Sequence, residues 1–322
     1  MKGLQFHGFG HHAPTNRIDN ETISRDLDTN DEWIKTRTGI KARHFVNSNQ
    51  YCYEIATKAC SKAIEDARID VNDLAYLIVC SFSAEFPVPS IACMVQQELS
   101  IPDTCTCFDI NTACAGFIYG LHVMRGLLIQ REMEEKPTNE NKKYGIVIGS
   151  EVISKHLDMT DRGSCILFGD GAGAAVVSID EDKIYSFTSG SKGDYDVLRV
   201  GGRDTEDSHV RMNGSDVFKF AVKIIPKCID EVLEKSGLSI DDIDLVVCHQ
   251  ANKRIIDAVR TKLNAKEEKF PMNINEYGNT SAASIPILLS ELNEKGILKK
   301  GQKVILTGFG AGLTWGANLV EI

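Results

Sequence analysis

The chain repeats itself in order, and that order constrains its fold more than any single motif does. An amphipathic run from Lys58 to Arg68 passes through a short Asp-containing turn into the apolar stretch Leu74 to Cys80. The run from Lys227 to Gly237 leads in the same way into Leu245 to Cys248. Next, Phe108-Asp-Ile-Asn111 is echoed by Met272-Asn-Ile-Asn275, each followed by a Gly- or Ala-rich turn and a helical pattern. Last, Phe168-Gly-Asp-Gly-Ala-Gly173 runs into Ala174 to Ile179, as Phe309-Gly-Ala-Gly312 runs into Thr314 to Ile322. Echoes this far apart and in constant order indicate duplication of one α/β unit rather than a solenoid of short repeats. The boundary falls near residue 180, giving halves 1–180 and 181–322.

Helical spacing supports that reading. Ile118, Leu121, Arg125 and Leu128 share one face in the first half. Ile256, Val259 and Leu263, then Ile285, Leu288 and Leu292, do so in the second. These stripes alternate with apolar strands at Leu74 to Cys80, Ile146 to Ile148, Leu245 to Cys248 and Val304 to Leu306, so buried sheets covered by helices are expected. Between Arg131 and Lys143 the composition turns to Glu, Lys, Asn and Pro, which reads as a solvated loop. The glycines at 169, 171 and 173 lack the G-x-G-x-x-G spacing and feed a strand instead of a helix, which argues against a dinucleotide or P-loop site.

With 322 residues the chain can bury a core without staples, and its formal charge of −9 argues against general nucleic-acid binding. Ten cysteines without a signal peptide point to reduced thiols in a cytoplasmic protein. No C-x-x-C pair supports a metal site, and no apolar run approaches membrane-spanning length. His7, His11 and His12 straddle Gly and Pro and read as surface or satisfied loop histidines.

The chemistry gathers in three loops that follow strands and precede helices. Cys114 lies in Asp109-Ile-Asn-Thr-Ala-Cys-Ala-Gly-Phe117, where a buried strand delivers the thiol to a helix N-terminus that favours a thiolate. His249 follows Leu245-Val-Val-Cys248, and Asn279 follows Gly278. Alone, each has a plain reading: a small buried hydrophobe, a core histidine, a left-handed turn. Together they fit Cys-His-Asn acyl transfer, in which a thiolate carries an acyl group while His and Asn donate hydrogen bonds to an enolate oxygen.

At this point the chain resembles bacterial beta-ketoacyl-acyl-carrier-protein synthase III, of the thiolase-like superfamily, over essentially its full length. The motifs are Thr29-Asn-Asp-Glu-Trp-Ile-Lys-Thr-Arg-Thr-Gly-Ile40, Thr112-Ala-Cys-Ala-Gly116, Thr160-Asp-Arg-Gly163, Phe168-Gly-Asp-Gly-Ala-Gly173, His249-Gln-Ala-Asn252 and Gly278-Asn-Thr-Ser281. The resemblance implies an α/β fold, a duplicated five-layer α-β-α-β-α architecture, and a homodimer. It implies acylation of Cys114 by an acyl-CoA, then decarboxylative condensation with malonyl carrier protein, with no cofactor beyond these substrates. His249 and Asn279 match the pair that holds the malonyl enolate. The N–H groups of Cys114 and Ala311 match the oxyanion hole, with Ala311 standing where the family commonly has glycine. Phe309 matches the aromatic that biases the reaction towards decarboxylation.

Trp33 and Arg162 match residues that sandwich the CoA adenine, and Arg37, Asn252 and Arg254 match further contacts along the CoA and pantetheine entrance. For an acidic carrier protein, Lys219 and Lys223, one helical turn apart, with Arg254 and Lys262 on a second helix, form a candidate docking face. A solvated helix surface is the plain alternative. Val88 stands before Pro89-Ser90 where a known subgroup has Phe in the acyl pocket, a place reached across the dimer, so a larger primer could be admitted. Use in polyketide or signal-molecule synthesis, and a noncatalytic acyl-binding subunit, remain the competing functional readings.

Overall fold

The computed structural model describes residues 2–133, 143–202, 205 and 207–322. Strand β1 (Gly3–His12) is followed by a hairpin, β2 (Asn16–Asp19) and β3 (Ala42–Phe45), which carries helices α1 (Asn20–Ile23) and α2 (Asp31–Thr38) between its strands. Then come α3 (Cys52–Ala67), β4 (Leu74–Cys80), α4 (Ile91–Glu98), β5 (Thr106–Ile110), α5 (Gly116–Met133), β6 (Tyr144–Glu151) and β7 (Gly171–Asp180). The order resumes with β8 (Tyr185–Ser191), a small hairpin of β9 (Leu198–Val200) and β10 (Val210–Met212), α6 (Gly214–Ser236), β11 (Leu245–Cys248) and α7 (Lys253–Lys262). It closes with α8 (Ile274–Tyr277), α9 (Ser284–Glu294), β12 (Lys303–Gly310) and β13 (Thr314–Glu321). The loop expected between Arg131 and Lys143 falls, over 134–142, outside the described residues.

One sheet runs β1-β7-β6-β4-β5 and the other β8-β13-β12-β11, with matching parallel and antiparallel pairings. Every strand of the first sheet lies at or before Asp180, and every strand of the second at or after Tyr185. Helices α5 and α9 fill the space between the sheets, α3 and α4 cover the outer face of the first, and α6 and α7 that of the second. Five layers result. Because both faces of each sheet are covered, β4 and β11 are apolar along nearly their whole length rather than alternating.

Two expectations change here. The strand before Cys114, expected to be buried, is β5 at the sheet edge, where its residues are half-buried or exposed and its outer side is unpaired among the described residues. Residues 272–275, its expected echo, form no strand and run instead into the short helix α8. The membrane expectation also needs amending, since residues 113–133 are long and apolar enough to cross a bilayer, with mean hydropathy 1.2. Their position explains it. Phe117, Ile118, Leu121, Met124 and Leu128 are buried in the core between the sheets, and a helix faced by sheets on two sides needs little polar surface. His7, His11 and His12 lie on β1 rather than in a loop. His7 meets the Ser178 hydroxyl at 2.8 Å and His11 that of Ser290 at 2.9 Å.

Candidate active site

Two turns of one design meet between the sheets. The first is Asn111-Thr-Ala-Cys-Ala-Gly116 and the second Asn279-Thr-Ser-Ala-Ala-Ser284, so the echo of the cysteine segment begins at Asn279 and not at Met272. In each, the Asn side-chain oxygen accepts the N–H two residues on, at 3.1 Å to Ala113 and 2.9 Å to Ser281. Ala113 and Ser281 take left-handed φ values of 46° and 49°, and a single 3-10 turn then leads into α5 or α9. Each turn sits on a strand of the other half. Gly310 of β12 passes beneath the first turn, where a Cβ would lie 2.6 Å from the Cys114 nitrogen. Gly149 of β6 passes beneath the second, where a Cβ would strike the Ala282 carbonyl.

Cys114 is 9% exposed and lies where two cavities meet. A cavity of about 800 Å³ is lined by Trp33, Arg162, His249, Asn279 and Phe309. A larger one of about 1740 Å³ is lined by Ser81, Ser83, Asn111 and Ala311. Burial pushes the thiol up to about 12, with a hydrogen bond from Ser281 only partly offsetting it. The thiolate expected from the helix N-terminus is therefore not the resting form. Desolvation outweighs the turn's N–H groups, and the α-helix proper begins only at Gly116.

His249 is buried at the end of β11, its N–H bonded to the Thr307 carbonyl at 2.8 Å. Its Nδ1 meets the Ser284 hydroxyl at 2.7 Å, and that oxygen already accepts the Gln250 N–H at 3.3 Å. Ser284 Oγ keeps a second lone pair, so its bond to Nδ1 forms in either neutral tautomer; with the Ser284 hydrogen turned to Nδ1, Nε2 carries the imidazole hydrogen and donates. Burial pulls the imidazole down to about 3, so it is neutral near pH 7. Asn279 is pinned through its backbone to Leu167 and Gly169, and its Oδ1 is engaged by the Ser281 N–H, which turns Nδ2 into the donor. Phe309 packs edge-on against His249 at 5.9 Å between centroids. The sequence reading missed Ser281 and Ser284; the repeated Asn-Thr-x-x-Ala pattern was the signal that marks them.

At the mouth of the smaller cavity, the half-exposed Trp33 ring has the guanidinium carbons of Arg162 at 5.1 Å and Arg37 at 5.9 Å from its centre. Asn30 caps α2 by accepting the Trp33 N–H at 2.8 Å, which fixes where the indole leaves the backbone. Asn252 lines the mouth but spends its side chain on structure, capping α7 at the Arg254 N–H and donating to the Arg37 carbonyl. Arg254 lies over the Phe218 ring, and Lys219 lines the same mouth while paired with Asp216. Lys223 and Lys262 are exposed and line neither cavity. Ala311 follows Gly310 and lines the larger cavity with Cys114. Val88 is 80% exposed and lines neither cavity. Among the described residues no group of His, Cys, Asp or Glu is arranged to hold a metal ion.

Comparison with known proteins gives a consistent result. Residues 108–193 match the family model described as 3-oxoacyl-[acyl-carrier-protein] synthase III, and residues 233–322 match the model of its C-terminal part. The beta-ketoacyl-[acyl-carrier-protein] synthase III of Clostridium perfringens is 41% identical, with all of both chains covered. The crystal structure of the synthase III from Aquifex aeolicus superimposes with a TM-score of 0.91 at 38% identity, covering 99% of this chain and 100% of that one. The enzyme from Pseudomonas aeruginosa gives 0.90 at 32% identity, covering 99% and 98%.

Proposed function

The chain belongs to the 3-oxoacyl-[acyl-carrier-protein] synthase III family, and we propose on that basis how its own residues carry the reaction. It is an acyltransferase of thiolase-like fold that condenses an acyl-CoA primer with malonyl carrier protein, releasing CoA and carbon dioxide, and so begins a fatty-acid chain. One observation carries the assignment of roles: His249 and Asn279, bonded at Nδ1 to the Ser284 hydroxyl and at Oδ1 to the Ser281 N–H, both line the cavity that ends at Cys114, so His249 in its Nε2–H tautomer and Asn279 through Nδ2 are the donors.

The steps follow from that geometry. Cys114 Sγ attacks the primer carbonyl, the oxyanion is held by the N–H groups of Cys114 and Ala311, and CoA leaves as its thiol. Malonyl carrier protein then enters by the same mouth. Loss of carbon dioxide leaves an enolate whose oxygen takes hydrogen bonds from His249 and Asn279, and its carbon attacks the acyl-Cys114 thioester, breaking the C–S bond and expelling the Cys114 thiolate, which regains a proton from water. A neutral imidazole donates without needing to gain a proton, which suits the low basicity imposed by burial. Phe309 keeps that corner apolar, favouring departure of uncharged carbon dioxide. No cofactor is needed for either half.

Trp33 and Arg162 suit an adenine between an indole and a guanidinium plane, provided Arg162 moves aside to admit the ring. Arg37 and Arg254 suit the phosphates and pantetheine, while Asn252 acts chiefly by fixing α7 against α2. Lys219 and Arg254, with Lys223 and Lys262 further out, form the face offered to an acidic carrier protein. A second copy of the chain would cover the free edge of β5 and the exposed Phe86, Val88 and Tyr195 around the larger cavity, carrying Val88 into the partner's acyl space. We read the chain as two halves, 1–180 and 181–322, in a cytoplasmic homodimer in which none of the ten cysteines forms a disulfide. The test is product analysis. Acyl-CoA alone should release about one CoA per active site, and malonyl carrier protein should then yield carbon dioxide and the beta-ketoacyl carrier protein; sustained CoA release without condensation would indicate a hydrolase instead.

A further inference from the structure

The hairpin of β2 and β3 belongs to neither large sheet, yet it holds both arms of chain that carry Asn279. Asn279 forms an isolated parallel bridge with Phe168. Its N–H donates to the Leu167 carbonyl at 2.8 Å, and its carbonyl accepts the Gly169 N–H at 3.0 Å. On the first arm, the Asp170 N–H donates to the His44 carbonyl at 2.8 Å, and Asp170 Oδ2 accepts the Val46 N–H at 2.8 Å. On the second, the Lys41 N–H donates to the Asn275 carbonyl at 2.9 Å, and Arg17 pairs with Glu276.

Arg43 of β3 meets both arms, and it is the largest fully buried side chain among the described residues. Its Nη2 donates to the Ile166 carbonyl at 2.7 Å and its Nη1 to the Ile18 carbonyl at 3.2 Å, while Nε has no partner. Among the described residues no carboxylate forms an ion pair with it. Burial pulls the guanidinium down only to about 10, so it keeps its charge near neutrality. The alkyl stem is placed as closely as the head. A Cβ built on Gly169 would come within 3.0 Å of the Arg43 Cβ, and one on Gly278 within 3.3 Å. These glycines are the donor to the Asn279 carbonyl and the residue before Asn279. Gly278 has a φ of 66°, and a Cβ there would also lie 2.8 Å from the Leu167 carbonyl oxygen.

A charge buried without a counter-charge is a costly way to fill space, and an apolar side chain of similar length would fill it at lower cost. What the guanidinium adds is direction. Among the described residues it is the one donor to the Ile166 carbonyl, and Ile166 adjoins Leu167, which accepts from Asn279. We propose that Arg43 is a positioning residue for condensation, bracing the two backbone arms that aim the Asn279 amide at the enolate oxygen. It makes no hydrogen bond to the Cys114 turn or to His249, so primer loading lies outside its reach.

The proposal rests on the role given to Asn279, and its test separates the two. Hydrogen exchange of the folded protein, read by mass on fragments, follows the bridge without any turnover. Arg43→Met should speed exchange in fragments covering 166–170 and 278–280 by about tenfold, as loss of one directed bond allows, and leave 111–116 unchanged. The same variant is then loaded with acyl-CoA and given malonyl carrier protein. As many sites should load as in the unaltered protein, while loaded sites discharge about tenfold more slowly. Added to Asn279→Ala, the change should slow discharge by less than about threefold more, since both act through one amide. A side chain that only holds the fold together gives another pattern, in which fewer sites load and those that load discharge at the normal rate. That pattern overturns the proposal, as does unchanged exchange at the bridge. If Arg43→Met does not fold, Arg43→Lys is read in the same two ways, because a single ammonium cannot hold two carbonyls as a planar fork does. Faster exchange at the bridge with normal discharge from both Arg43→Met and Asn279→Ala would overturn the role of Asn279 instead, and the proposal with it.

Discussion

The turn from Asn111 to Gly116 and the turn from Asn279 to Ser284 share a backbone and divide the chemistry. Both lock the same Asn-to-backbone bond, both force the third residue left-handed, and both open a helix of the middle layer. Their side chains differ where the site needs them to. The fourth position is Cys114 in one and Ala282 in the other; the third is Ala113 against Ser281, and the sixth Gly116 against Ser284. So the first turn supplies the thiol, while the second supplies the hydroxyl beside it, the hydroxyl bonded to His249 Nδ1, and the Asn279 amide. Asn111 is exposed and Asn279 buried, so the same residue type caps a turn in one copy and caps and donates in the other. A backbone design can thus be inherited whole while function is assigned to it one side chain at a time.

The comparison can be broken most severely by moving the thiol. Cys114→Ala should abolish primer acylation, and adding Ala282→Cys, which restores a cysteine on the equivalent backbone, should not recover it, because Gly310 and the Ala311 N–H serve only the first turn. Intact mass after exposure to acyl-CoA reads both variants. Acylation of the double variant would mean that the two turns are interchangeable.

A smaller effect concerns the strands beneath the turns, where β6 ends in a buried acid and β12 in a glycine. Glu151 is raised to about 7, above its usual value of 4.5, so the folded state binds the proton more tightly than the unfolded chain does. Stability should then fall as pH rises from about 4.5 to 7, by on the order of 3 kcal/mol. His249, lowered to about 3, acts oppositely, costing stability as pH falls from about 6.5 towards 3. Denaturant melts of the unaltered protein and Glu151→Gln across this range should show the stability difference shifting in favour of Gln as pH rises. A pH-independent difference would remove Glu151 from the titration.

Much of this was legible in residue order. The strand ranges Leu74–Cys80 and Leu245–Cys248 stand where their apolar runs stop, because strands buried on both faces show their length directly. Cys114, His249 and Asn279 were marked by their place between strand and helix. The register of the second echo was not, since Asn111 and Asn275 share a local pattern while the bond to the residue two on, which defines the turn, is visible only in three dimensions. Glu151 gave no signal, because a lone acid at a strand end usually faces water. The thiol's resting state was misjudged for a related reason: a helix N-terminus can be read from sequence, but the depth of burial that opposes it cannot.

The central claim is that the two turns serve different halves of the reaction, and one measurement reaches it most directly. Asn279→Ala and Asn111→Ala are each loaded with acyl-CoA, then given malonyl carrier protein, and the mass of the Cys114 peptide is followed. Asn279→Ala should load and then keep its acyl group, with condensation slowed on the order of a hundredfold or more by loss of one enolate donor. Asn111→Ala, losing only a turn cap worth about 1 kcal/mol, should load and discharge at close to the unaltered rate. Discharge from Asn279→Ala as fast as from the unaltered protein would contradict the division of labour.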